Sequence, residues 1–149
     1  MSVELDTQIS QLLAQYGESE IKSAMSKIVR SRGPRELTIV VNFGMHALPE
    51  EVLRGDTFFF SEGNVDLTPE GVSSTILALS KRALRFLRGK IWERVYIIPS
   101  GHPLLVSMCT LICYRVTRIN PTVVYYLDGQ YIDAKLDIRG TTLKDNRLE

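Results

Sequence analysis

The sequence predicts an α/β protein: a Rossmann-like, mainly parallel sheet with helices on both faces, a C-terminal β-hairpin and an N-terminal helical pair. Three observations carry this. Apolar runs of strand length stand at 37–43, 94–99 and 122–127, and each is continuous rather than alternating, as in strands covered on both faces. Segments of helical periodicity separate them. A strand–helix–strand succession imposes parallel pairing with right-handed crossovers, so these three strands should be adjacent and parallel.

The elements follow in chain order. Residues 1–33 form a helical extension in which Ile9, Leu12, Leu13 and Tyr16 make one stripe and Ile21, Ala24, Met25 and Ile28 another. Gly17 is the stop between them and Ser19 the N-cap of the second helix. "SRGPRE" (31–36) breaks the helical pattern and leads into the α/β domain, residues 34–149. "LTIVVNF" is the first buried strand, and "TFFFS" a short one after the loop that follows. Thr68 caps, and Pro69 opens, an amphipathic helix near 69–89, where Val72, Ile76, Leu79, Ala83 and Leu87 recur at helical spacing. "RVYIIP" is the next strand and 103–118 the next helix, closed by Asn120-Pro121. "TVVYYL" then turns at Asp128-Gly129 into "QYIDAKLDI", a hairpin signal.

At 149 residues the chain is long enough to bury a core without staples, since a domain of this size buries roughly 70% of its unfolded surface. Eighteen Lys and Arg against seventeen Asp and Glu leave a formal charge of +1, so no global field recruits nucleic acid or an anionic membrane. Cys109 and Cys113, four apart on a helix, face the same way and suit reduced core thiols better than a disulfide or a metal site. The N-terminus lacks the basic and apolar regions of a signal peptide, and no apolar stretch is long enough to span a bilayer. A cytoplasmic protein with no membrane partner, no metal and no cofactor is the expectation.

The candidate site is the corner Pro99-Ser100-Gly101-His102-Pro103, between a strand and a helix. Ligands of open parallel sheets bind outside the carboxyl ends of the strands. Ser100 can cap the following helix, Gly101 lets backbone approach a ligand, and exposed N–H groups at a helix start favour an anion such as phosphate. Gly101→Val is accordingly expected to abolish binding and leave the fold largely intact. Serine, glycine and proline also serve any strand-to-helix turn. A second loop, "NFGMH" (42–46), lies at the same sheet edge: Asn42 offers a two-sided amide, Phe43 a stacking surface and Gly44 backbone clearance. Both histidines, His46 and His102, fall in these loops and could act as acid and base on a phosphodiester, with His102 the catalytic candidate.

Residues 94–132, "RVYIIPSGHPLLVSMCTLICYRVTRINPTVVYYLDGQYI", resemble the C-terminal half of a CRISPR-associated Rossmann-fold (CARF) sensor domain, and "IVVNFG" (39–44) resembles the loop after that family's first strand. Ser100-Gly101-His102 stands where the family more often shows Thr-Gly-Gly followed by Thr and Lys. The resemblance implies a homodimer that binds a cyclic oligonucleotide of the cyclic oligoadenylate type in prokaryotic antiviral defence. Asn42, Phe43, Gly44, Ser100, Gly101 and His102 would contact the ligand. Such a protein is either a sensor that signals to a separate effector protein or a ring nuclease, a phosphodiesterase that linearises its ligand. The apolar helix 103–118 independently suggests a homodimer. An alternative of another class is a non-enzymatic DNA- or protein-interaction module that uses the N-terminal helices with Lys22, Lys27, Arg30, Arg32 and Arg35.

Overall fold

The computed structural model describes residues 3–32, 34–44, 46–137 and 140. Contacts divide the chain into two units, Met1–Pro34 and Arg35–Glu149. The first holds α1 (Val3–Tyr16) and α2 (Glu18–Arg32). Gly17, at φ 81°, ends α1 by donating to the Leu13 carbonyl at 3.0 Å and accepts from the Ile21 N–H at 3.3 Å. Gly17 thus occupies the position expected of Ser19, which falls inside the first turn of α2.

The second unit is an α/β layer structure whose five-stranded sheet has the order β2-β1-β3-β4-β5. Its strands are β1 (Glu36–Phe43), β2 (Asp56–Glu62), β3 (Arg94–Ile98), β4 (Thr122–Leu127) and β5 (Gln130–Lys135). The first four are parallel, and β5 returns antiparallel through Asp128 and Gly129, both at positive φ as a tight hairpin turn requires. The strands read at 37–43, 94–99 and 122–127 are indeed neighbours and parallel, and "TFFFS" adds a parallel edge beside β1.

The chain steps outward from β1 to β2, then reverses past β1 to β3 and on to β4. With right-handed crossovers such a reversal sends the connections to opposite faces. One face carries α3 (Val72–Arg88) and α4 (Pro103–Thr117), whose Ala83, Leu87, Leu105, Cys109 and Cys113 join Leu37, Ile39, Val41, Phe60 and Ile97 in the main core. The other face buries Val40, Ile98 and Val124 under Val52, Leu48 and Leu53. Its cover is the 3-10 turn Glu50–Val52 with its flanking loop. β1 is buried from Leu37 to Asn42, as its unbroken apolar run predicts.

That loop is fastened across the sheet. Thr38 Oγ1 donates to the Arg54 carbonyl at 2.7 Å and accepts the Arg54 N–H at 2.8 Å. The Arg54 guanidinium makes two bonds to Asp133 of β5, at 2.6 and 3.0 Å, and lies 4.6 Å from the Tyr96 ring centre. Hydrogen bonding to Asp133 raises the Arg54 pKa further above its usual value. At the other edge Arg82 of α3 donates to the Phe59 and Phe60 carbonyls of β2, both at 2.6 Å, which blunts an exposed strand edge.

α3 begins where its apolar pattern begins, at Val72, and later than the expected Thr68 cap and Pro69 first turn. Thr68 Oγ1 does accept the Gly71 N–H, at 3.2 Å, but Asp66 Oδ1 takes the Thr68 N–H and hydroxyl at 3.0 and 2.7 Å. This holds 66–71 as a turn, and regular helix starts at Val72. Among the described residues no helix is long and apolar enough to cross a membrane.

Candidate functional site

The order β2-β1-β3 places the reversal of connections between β1 and β3, and open α/β sheets leave a crevice at that point, outside the carboxyl ends of the strands. The ladder between β1 and β3 runs to the pair Val40↔Ile98 and stops. Beyond it the chain turns away at Pro99, which has no N–H to donate. Asn42 would then lose its partners on the β3 side. Ser100 replaces them: its hydroxyl accepts the Asn42 N–H at 2.9 Å and donates to the Asn42 carbonyl at 2.7 Å.

Ser100 is therefore a sheet residue in function, and the cap expected of it belongs to His102. The Nδ1 of His102 accepts the Leu104 N–H at 3.1 Å, and its carbonyl accepts from Leu105 and Val106 at 3.0 and 3.2 Å. Pro103 has no N–H, so the first turn of α4 is satisfied from within the chain. The N–H groups of Gly101 and His102 have no protein acceptor among the described residues. These two, rather than the helix terminus, are what the corner offers an anion. An Nδ1 that accepts also means that Nε2 carries the proton of the neutral ring, so His102 presents a donor outward.

Gly101 is packed, not open. At φ 86° it lies where only glycine is at ease, and a Cβ there would stand 2.6 Å from Asn42 Cβ. The expectation that Gly101→Val spares the fold is corrected by this contact: the residue presses on the buried end of β1.

Asn42 is the centre of the arrangement. It is 7% exposed, and its Nδ2 donates to the Gly63 carbonyl at 3.0 Å. Its Oδ1 is buried and has no protein partner. Exchanging amide O and N would set two oxygens against each other at Gly63, so the hydrogen-bond pattern fixes which atom is left over.

Two clefts meet at this residue. One, of about 680 Å³, lies under the 46–49 loop and is walled by Ile98, Pro99, Val124 and three tyrosines, Tyr125, Tyr126 and Tyr131. Tyr126 and Tyr131 pair directly across the hairpin, edge to face with ring centres 5.2 Å apart. The second, of about 470 Å³, is lined by Gly63, Asn64, Leu67, Gly101 and His102. Asn42 and His46 line both. Among the described residues no Lys, Arg, Asp or Glu lines either cleft, so recognition there rests on amides, hydroxyls, imidazoles and rings.

The structure thus brings Asn42, Ser100, Gly101 and His102 together. Phe43 and Gly44 line neither cleft: Phe43 packs on Phe59 with centroids 4.3 Å apart, and Gly44, at φ 95°, turns the chain out of β1. The tyrosine wall is absent from the sequence-derived site. Its signal was the run "VVYYLDGQY", which reads equally well as an ordinary strand and hairpin. Among the described residues no group of three His, Cys, Asp or Glu side chains is placed to hold a metal ion. Cys109 and Cys113 lie in the helix-side core, where burial pushes both thiols up, Cys113 to about 11. No family model, curated protein or solved structure matches this chain.

Proposed function

We propose that this protein binds a cyclic oligonucleotide of the cyclic oligoadenylate type, a second messenger of prokaryotic antiviral defence, in the crevice between β1 and β3. The observation that carries the reading is the junction of two unlike clefts at one buried amide. An apolar, tyrosine-walled cleft suits a planar base, which stacks on aromatic rings regardless of charge. The adjoining cleft offers the unpartnered N–H groups of Gly101 and His102 to a phosphate. With no fixed cation in the lining, affinity would depend on salt far less than at a lysine-rich site. The resemblance to CRISPR-associated Rossmann-fold sensors supplies the ligand class, a second copy as partner, and a separate effector.

Cleavage of the ligand is the second reading, favoured by one observation: both histidines of the chain line the same cleft. In that reading one imidazole takes the proton of the attacking oxygen and the other, as imidazolium, gives one to the leaving oxygen, a role that for His102 requires Nδ1 to release the Leu104 N–H.

The test is thermal unfolding with cyclic tri-, tetra- and hexa-adenylate, followed by chromatography of the nucleotides after incubation. A ring present at about a hundred times its dissociation constant adds about 2.7 kcal/mol of apparent stability. Intact rings with a raised Tm identify a sensor, and linear products a ring nuclease. No shift and no product with any ring would overturn the proposal.

A further inference from the structure

We infer that the helical pair α1 and α2 docks on the same pair of a second copy, apolar stripe against apolar stripe, and that this contact, rather than α4, joins the two chains. The contact is independent of the nucleotide reading. It needs no ligand and would stand if the crevice bound nothing.

In α1, Leu5, Ile9, Leu12 and Tyr16 recur at spacings of four, three and four, and in α2 Ile21, Met25 and Ile28 follow at four and three. This is the spacing of a helix-to-helix seam. Yet α1 buries no residue: Leu5, Ile9, Leu12, Leu13 and Tyr16 are 40% to 51% exposed, and Met25 of α2 is 60% exposed. The connection explains why. Only Gly17 separates the helices, whereas helices that fold back side by side use about two to five linking residues. Residues 1–34 are too few for a core of their own, and units of that size are held by disulfides, metals or association. They contain no Cys and no His, which leaves association. By contrast α4 buries Leu105, Cys109 and Cys113 in its own unit, and of its large apolar residues only Leu111 is exposed.

Charge selects the occupant. α1 carries Glu4 and Asp6 and no base, whereas residues 18–32 contain Lys22, Lys27, Arg30 and Arg32 against Glu18 and Glu20. One helix is acidic and the next basic. A second copy related by a two-fold axis sets α1 of each chain against α2 of the other, so that both contacts join opposite charges. A uniformly acidic or basic partner would match one helix and repel the other.

The experiment is sedimentation of the full chain over a concentration series, without ligand. The parent is expected to dimerise, and Leu12→Glu/Met25→Glu, which places charge in the seam, to raise the dissociation constant about a hundredfold or more. Leu111→Glu, on the exposed face of α4, should leave it unchanged. Should the double variant lose helicity, charge reversal decides: Glu4→Lys/Asp6→Lys makes both helices basic, and Lys22→Glu/Lys27→Glu makes both acidic. Each alone is expected to sediment as a monomer, and an equimolar mixture as a heterodimer. A monomeric parent overturns the inference. So does a folded Leu12→Glu/Met25→Glu variant that still dimerises, a dimer that Leu111→Glu breaks, or charge variants that fail to recombine.

Discussion

A glycine that faces open space at positive φ and a packed one offer an internal comparison that tests how the crevice is built. Gly101 and Gly129 have nearly the same φ, 86° and 85°. A Cβ on Gly129 meets nothing within 4 Å, whereas one on Gly101 meets Asn42 Cβ at 2.6 Å. Gly129→Ala should therefore cost only the left-handed backbone penalty, about 1–2 kcal/mol. Gly101→Ala carries that penalty plus overpacking of about 1–3 kcal/mol, because a Cβ is fixed by the backbone and cannot rotate away. The expected totals are about 1–2 and about 2–5 kcal/mol. Urea denaturation of both variants measures them, with unchanged slopes as the sign that the two-state comparison holds. Losses equal to within about 0.5 kcal/mol would refute the packing of Gly101 on Asn42. The clash also displaces the amide, so Gly101→Ala should lose ligand affinity together with stability, and Gly129→Ala should keep the affinity.

Arg54→Ala should destabilise by about 0.5–1.5 kcal/mol, a range held down because Arg54 and Asp133 are 33% and 44% exposed; a double-mutant cycle with Asp133→Asn that shows no coupling would sink the fastening of the loop. Burial raises the thiol pKa values, so their contribution is fully present below the unfolded value of 9.0 and is lost as pH rises toward about 11 for Cys113. Denaturation between those pH values should show stability falling, less steeply in a Cys109→Ala/Cys113→Ala variant, while rapid thiol labelling of the native protein would contradict the burial. His102→Ala should cost about 1 kcal/mol through loss of the α4 cap, and His102→Asn, which retains a capping oxygen, should cost less. If His102 also serves catalysis, His102→Asn keeps stability and most binding but loses roughly 10²–10⁴-fold in cleavage rate; a cleavage rate equal to the parent's removes His102 from the chemistry.

The parts of the fold that were legible in the sequence are those decided by burial along one element. "LTIVVNF" reads as a doubly covered strand because both of its faces are covered, and α3 reads from the recurrence of Val72, Ile76, Leu79, Ala83 and Leu87. The asymmetry of the layers was less legible. Nothing local in "LPEEVL" says that it will cover a sheet face, since one 3-10 turn is too short to show a period, and its placement depends on a bond from Arg54 to Asp133, 79 residues away. The start of α3 was misplaced for a related reason: Pro69 suits a first helical turn, but Asp66 competes for the same backbone.

The site shows the same division, with one instructive substitution of roles. Serine before Gly-His-Pro reads as a helix cap because a cap is a local property of four or five residues. Its use here depends on where two strands part, which no single segment records. β3 ends at Ile98 while β1 continues to Phe43, so the longer strand projects past its neighbour with its inner backbone groups unpaired. One hydroxyl satisfies both groups because it can accept and donate at once, a capacity that a lysine lacks and that an amide could supply only with two separate atoms. With Ser100 committed to the sheet, the cap passes to His102, whose Nδ1 is thereby fixed as an acceptor and whose Nε2–H is turned outward. The geometry of the corner thus follows from a strand-length mismatch: it opens the crevice, holds Asn42 at its floor and sets the tautomer of the histidine at its rim.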